Sequence, residues 1–216
     1  MKYETVIFDL DGTLLDTLDD LTNAVNHALA CYDLPARTRE QVRPLLGYGV
    51  RNLIRCSMPE GADEALFEKV LAEYMPYYAA HCQEATAPYD GIAALLEKLG
   101  ALGVKAAVVS NKPDDAAKTL CRHHFGESLA LTVGHFEGME RKPAPDLVTF
   151  AMRELGCDAS RTVYVGDTEV DFQTARNAGI DCIGVTWGYR DRAELARGGF
   201  SPLADTVDAL RVLLLP

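Results

Sequence analysis

Asp9 and Asp11 stand two residues apart at the end of an apolar run, Thr5-Val6-Ile7-Phe8, and Gly12-Thr13 follows them. At the two-residue period of a strand both carboxylates face one side, and a turn at Gly12 lets the backbone approach a bound anion closely. Paired acids in that position can divide nucleophilic and proton-transfer work; alone, they suit an Asx turn equally well. Ser110-Asn111-Lys112 follows the apolar run Val104 to Val109. Ser110 there can bond a phosphate oxygen together with backbone N–H groups, or merely satisfy the loop backbone. Lys142 precedes Pro143, which biases it toward an extended backbone, and Pro145 suits the first turn of a helix. That framing can aim one ammonium inward, although most lysines are solvated. The fourth group is Gly166-Asp167, closing Val163-Tyr164-Val165, with Asp171 four residues on. More carboxylates at an already acidic edge repel unless a cation sits among them, and oxygen-only ligands point to Mg²⁺. Thr168 with Asp171 also reads as a capping box with Asp in place of Glu. Asp167 has no such structural duty.

Positioning these groups is the task of the elements between them. Tyr3 to Leu10 is too continuously apolar for a sheet with one wet face and reads as a central parallel strand. Similar runs recur at Val104 to Val109, Leu129 to Val133, Thr162 to Val165 and Ile180 to Val185. Helix-length amphipathic stretches lie between them: Gly91 to Leu99, Asp114 to His124, Pro145 to Leu155, and Thr168 to Ala178 closed by Gly179. The alternation predicts an α/β fold, a doubly wound parallel sheet with a Rossmann-like core. From about Asp16 to Ala85 it breaks into helical stretches only, such as Leu18 to Ala30 and Asp63 to His81, which predicts an inserted helical domain. The turn-rich Ala87-Pro88-Tyr89-Asp90-Gly91 marks the return. The expected division is a core of 1–15 and 87–216 and a helical cap of 16–86. All four groups then fall at carboxyl ends of strands, the edge where such sheets bind ligands. Together they are the parts that displacement on phosphorus requires: an acid nucleophile, a proton-transfer acid, a hydroxyl and a cation for the phosphoryl oxygens, and carboxylates for a metal.

Composition agrees with a soluble globular chain. Of its 216 residues 48% are hydrophobic, and 21 Lys and Arg against 32 Asp and Glu leave a net charge of −11. That balance argues against a nucleic-acid partner held through massed phosphate contacts. No apolar run approaches the length of a membrane span, and none at the N-terminus resembles a signal peptide, so the expectation is a cytoplasmic protein without a membrane partner. The six cysteines are too widely scattered for redox or zinc spacing and are expected to be buried thiols.

Asp9-Leu10-Asp11-Gly12-Thr13, Ser110, Lys142 and Gly166-Asp167 through Asp171 resemble, in order and spacing, the four motifs of the haloacid dehalogenase-like hydrolases. The helical insert after the first motif resembles the helical cap of that superfamily. The resemblance spans nearly the whole chain and implies a phosphatase. Asp9 would be the nucleophile that forms an aspartyl-phosphate, and Asp11 the acid that protonates the leaving alcohol and later activates water. Ser110 and Lys142 would hold the transferring phosphoryl group, with Gly12, Thr13 and Asn111 beside them. Mg²⁺ would be held by Asp9, the Asp11 backbone carbonyl and Asp167, with Asp171 binding directly or through water.

Within the superfamily, Ser110-Asn111-Lys112-Pro113, Trp187-Gly188-Tyr189 and Leu46-Gly47-Tyr48-Gly49 resemble phosphoglycolate phosphatases and their pyrophosphatase relatives. The expected partner is a small phosphate ester, 2-phosphoglycolate first, acted on by a monomer or homodimer. Arg37 to Arg55 holds five arginines against one acid, Glu40, which suits a substrate with a second anionic group or, equally, a solvated helix face. Three alternatives stand beside this reading: an inorganic pyrophosphatase, a sugar-phosphate mutase of the β-phosphoglucomutase type, and a non-enzymatic phospho-aspartate switch. The mutase's Arg-Gly and Ser-Arg cap pattern finds no convincing match here. A receiver-type switch has no helical insert and carries its phosphorylated Asp after an initial acid pair.

Overall fold

The computed structural model describes residues 2–215. Strand β1 (Thr5–Phe8) is buried on both faces and lies at the centre of a six-stranded sheet. It pairs in parallel with β4 (Lys105–Pro113) on one side and β6 (Thr162–Gly166) on the other, with Phe8 opposite Val108 and Val165. Beyond β4 lies β5 (Leu131–His135); beyond β6 lie β7 (Asp181–Val185) and β8 (Leu203–Ala204), all parallel. The order β5-β4-β1-β6-β7-β8 reverses direction of growth at β1, so β4, β1 and β6 are neighbours.

Alternation along each strand feeds two cores. Val6, Phe8, Val108, Val163 and Val165 face α5 (Ile92–Ala101), α6 (Asp114–Phe125) and α10 (Val207–Leu214). Ile7, Val109 and Tyr164 face α7 (Asp146–Leu155) and α8 (Glu169–Ala178). Full burial of each aliphatic or Phe side chain is worth about 1.5–3 kcal/mol, which anchors the strand ends. Gly179 closes α8 in the left-handed conformation, as its place in the sequence predicts.

The helical insert lies between two short strands, β2 (Leu15–Asp16) and β3 (Ala87–Pro88), which pair antiparallel. The sequence shows neither strand, since two residues carry no periodicity. The pairing brings both chain crossings together, and buried Asp20 clamps them by accepting from the backbone of Ala85 and Thr86 and from the Thr86 hydroxyl. Within the insert, α1 (Leu18–Ala30) packs on α4 (Glu64–His81), with α2 (Arg39–Val42) and α3 (Val50–Ser57) between them in sequence. Phe67, Val70, Tyr74 and Tyr78 form the buried stripe of α4 at helical spacing.

Three elements after Val185 escape the sequence reading as well, β8, α9 (Arg192–Arg197) and α10, all of them short. The cysteines depart from expectation in part: Cys82 and Cys121 are buried and Cys157 and Cys182 half-buried, but Cys31, just past the end of α1, and Cys56 on α3 are exposed.

Candidate active site

Leaving β1, the chain makes a tight turn in which Leu14 and Leu15 donate to the Leu10 carbonyl and Gly12 donates to Leu15. Gly12 has a φ of 84°, and a Cβ there would overlap the Asp167 carboxylate. The turn sets Asp9 against the ends of β4 and β6. Lys142 reaches it from the loop after β5. Its Nζ lies 2.9 Å from Asp9 Oδ1 and donates to Asp171 Oδ1 at 2.7 Å and to the Tyr164 hydroxyl at 2.9 Å. Those contacts use all three ammonium protons. Tyr164 in turn donates to the Val109 carbonyl at 2.8 Å, tying the lysine to the sheet. Burial pulls the Lys142 ammonium down, but Asp171 and Asp9 outweigh it and hold its value well above the ordinary one, so it stays charged.

Asp171 combines the two roles open to it in the sequence. Its Oδ2 accepts from the backbone N–H of Asp167 and Thr168 and from the Thr168 hydroxyl, capping α8, while Oδ1 takes Lys142. Asp167 is fully buried and accepts from Thr13 Oγ1 at 2.8 Å and from the Tyr189 N–H at 2.7 Å. Asp9, Asp167 and Asp171 bring one carboxylate oxygen each within 4.8 Å of one another. Among the described residues Lys142 is the one side-chain cation paired with any of the three. Burial pushes Asp9 up to about 7 against the pull of Lys142, with Asp171 and Asp11 adding to the rise. Burial, then Asp171 and Asp9, hold Asp167 well above the carboxylate range. An all-oxygen donor set short of positive charge fits a hard metal ion.

Asp11 faces away from this cluster. Lys112 Nζ contacts both of its oxygens, at 2.8 and 3.1 Å, and Thr17 Oγ1 donates to Oδ1 at 2.8 Å. Since the threonine proton is used there, the Tyr189 hydroxyl, 2.7 Å away, is the donor to Thr17. A chain of hydrogen bonds from the loop after β7 therefore orients Asp11.

Between the sheet edge and the insert lies a cavity of about 330 Å³. Asp9, Asp11 and Ser110 form its floor, and Leu21, Leu53 and Met75 are among its apolar walls. Ser110 is buried, and its Oγ accepts from the Lys112 N–H. Asn111 spends its side chain on structure: Oδ1 accepts the Lys142 N–H at 2.7 Å, and Nδ2 donates to the Lys142 carbonyl and to Gly47 of the insert. Thr13 likewise commits its hydroxyl to Asp167. Other ties hold Leu46-Gly47-Tyr48-Gly49 on the core, with Arg190 donating to the Pro44 and Leu46 carbonyls and Arg43 to Gly188.

The arginine-rich stretch does not face the cavity. Arg39 pairs with Asp16 and Asp19, Arg51 with Glu68, and Arg55 with Glu64, while Arg37 donates to the Ser57 and Met58 carbonyls. They brace the insert, which is the solvated-face outcome. The cation that lines the cavity is Lys112. Sequence reasoning gave Lys112, Thr17, Tyr164 and Tyr189 no role. For Tyr164 a signal existed: one tyrosine in a strand otherwise built of valine carries a hydroxyl that must find a buried partner.

A family model described as haloacid dehalogenase-like hydrolase matches residues 6–185. A phosphoglycolate phosphatase of Pseudomonas syringae pv. tomato is 34% identical over 215 residues, covering 97% of this chain and 78% of that one. An N-acetylmuramic acid 6-phosphate phosphatase of Pseudomonas aeruginosa is 32% identical over 190 residues, covering 88% and 84%. Among solved structures, a Lactobacillus delbrueckii subsp. bulgaricus protein assigned by inference as a phosphoglycolate phosphatase superposes with a TM-score of 0.94 at 36% identity, covering 99% of each chain.

Proposed function

The chain belongs to the haloacid dehalogenase-like hydrolases and is a phosphatase of that family, and we propose that it hydrolyses a small carboxylate-bearing phosphate monoester, 2-phosphoglycolate first, through an aspartyl-phosphate on Asp9. The observation that carries this reading is the placement of Asp9 between Lys142 and the Asp167–Asp171 pair, at the floor of a cavity that also holds Asp11.

Asp9 attacks phosphorus, and Lys142 beside it offsets the repulsion between an anionic carboxylate and an anionic phosphate. Asp11 gives a proton to the ester oxygen as the phosphorus–oxygen bond breaks, then takes one from the water that opens the acyl phosphate. Ser110 bonds a phosphoryl oxygen. Asn111 acts on Lys142 by fixing its backbone, and Thr13 acts on Asp167 by orienting its carboxylate. Mg²⁺, held by Asp9, Asp167, the Asp11 carbonyl and Asp171 directly or through water, would supply charge neutralisation at the phosphoryl oxygens. Residues 16–86 form a cap over a core of 1–15 and 87–216. The β2–β3 ribbon and the Asp20 clamp support a hinge there, whose closure would exclude water during the attack on phosphorus.

Phosphate release with and without Mg²⁺, across 2-phosphoglycolate, pyrophosphate, glycerol phosphate, N-acetylmuramic acid 6-phosphate and hexose phosphates, tests the proposal. Mg²⁺-dependent preference for 2-phosphoglycolate is expected. Preference for pyrophosphate or the muramic ester would overturn the substrate, and no release from any would overturn the chemistry.

A further inference from the structure

We propose that Lys112 reads an anionic group on the leaving half of the substrate while it holds Asp11. This rests on the phosphatase reading and adds to it a residue that sets the leaving-group class: hydroxy acids over neutral alcohols.

Among the described residues Lys112 is the one cationic side chain lining the cavity. Its side chain is only 3% exposed, and its ammonium sits 4.6 Å from the centre of the Tyr78 ring, which covers it from the insert. Its salt-bridge partner is Asp11. The apolar walls offer an anion no other contact of opposite charge, and the arginines of the insert are spent elsewhere.

Lys112 Nζ contacts the two Asp11 oxygens at 2.8 and 3.1 Å, and an ammonium carries three protons, so one is left for an anion in the cavity. A carboxylate on the leaving group pairs with that proton, whereas an ester of a neutral alcohol brings no charge to it, so the discrimination falls on kcat/KM.

The test compares 2-phosphoglycolate with 2-hydroxyethyl phosphate, which keeps both carbons and lacks the charge, in the wild-type enzyme and in Lys112→Met and Lys112→Arg. The wild type is expected to favour 2-phosphoglycolate in kcat/KM by about 30-fold or more. Lys112→Met loses activity on both esters, because Asp11 loses its partner, but the ratio between them falls toward one. Lys112→Arg keeps most of the ratio. Equal wild-type use of the two esters, or an unchanged ratio in Lys112→Met, would overturn the proposal and leave Lys112 as a brace for Asp11. If Lys112→Met does not fold, the wild-type ratio decides, together with inhibition by the products, which is expected to be stronger for glycolate than for ethylene glycol. Failure of the wild type on both esters would instead sink the phosphatase reading, and this inference with it.

Discussion

Replacing Asp9 by asparagine should abolish turnover and, in metal-free protein, raise stability. Burial lifts this carboxyl from 3.8 to about 7, with Lys142 opposing and Asp171 and Asp11 reinforcing. A folded-state value above the unfolded one means that the folded chain binds the proton more tightly, so Asp9 costs nothing below about pH 4. Between about pH 4 and 7 each pH unit removes about 1.4 kcal/mol of stability, and above pH 7 the loss levels at about 4 kcal/mol. An asparagine carries no charge to desolvate and keeps an oxygen for Lys142, whose ammonium stays paired with Asp171. Thermal unfolding in EDTA at pH 5 to 8 measures the difference. The variant should lead by under about 2 kcal/mol at pH 5 and about 4 kcal/mol at pH 8, or roughly 8–16 °C for a chain of this size. Added Mg²⁺ should close the gap by raising the wild type. A variant that melts at or below the wild type at pH 8 in EDTA, or a gap independent of pH, would refute the reasoning that three buried acids with one lysine destabilise the empty fold.

Lys142→Met works in the opposite direction: it strands two buried carboxylates, so unfolding free energy should fall by about 3–5 kcal/mol in EDTA and phosphate release should collapse. Urea denaturation beside a turnover assay checks both. Tyr164→Phe removes one of the three acceptors of the Lys142 ammonium and should cost about 1–2 kcal/mol of stability with a loss in kcat larger than any change in KM; steady-state kinetics on the folded variant separates the two. Asn111→Ala releases both the Lys142 backbone and Gly47, so amide hydrogen exchange should rise at Leu46 to Gly49 as kcat falls. Unchanged exchange there would contradict its bridging role.

The sequence made the sheet legible because its strands are buried on both faces and therefore continuously apolar, and because each candidate acid or hydroxyl follows such a run while Lys142 stands just before a pair of prolines. Asp9, Lys142, Asp167 and Asp171 converge because β1 lies between β4 and β6, an adjacency that follows once the alternation is recognised. What could not be read was hydrogen-bond direction. Thr13 and Asn111 have side chains suited to a phosphate, yet the structure commits both to protein partners, and nothing in their spacing distinguishes the two uses. The arginines of the insert left two readings open for a related reason: local charge reports abundance, whereas orientation depends on which helix face meets α4. Lys112 was read only as part of the Ser110-Asn111-Lys112-Pro113 stretch, and its place on the cavity wall shows once Tyr78 from the insert is laid over it.

The single carboxamide of Asn111 holds the backbone of Lys142 with both its oxygen and its nitrogen, and the nitrogen also reaches Gly47 of the insert. Two events far apart in sequence thus share one joint. If the insert lifts, Nδ2 loses Gly47, and whatever that release does to the grip on Lys142 must be matched, by thermodynamic reciprocity, by an equal effect of Lys142 on the seating of the insert. Loss of the Gly47 contact would leave Asn111 tied to the Lys142 backbone alone.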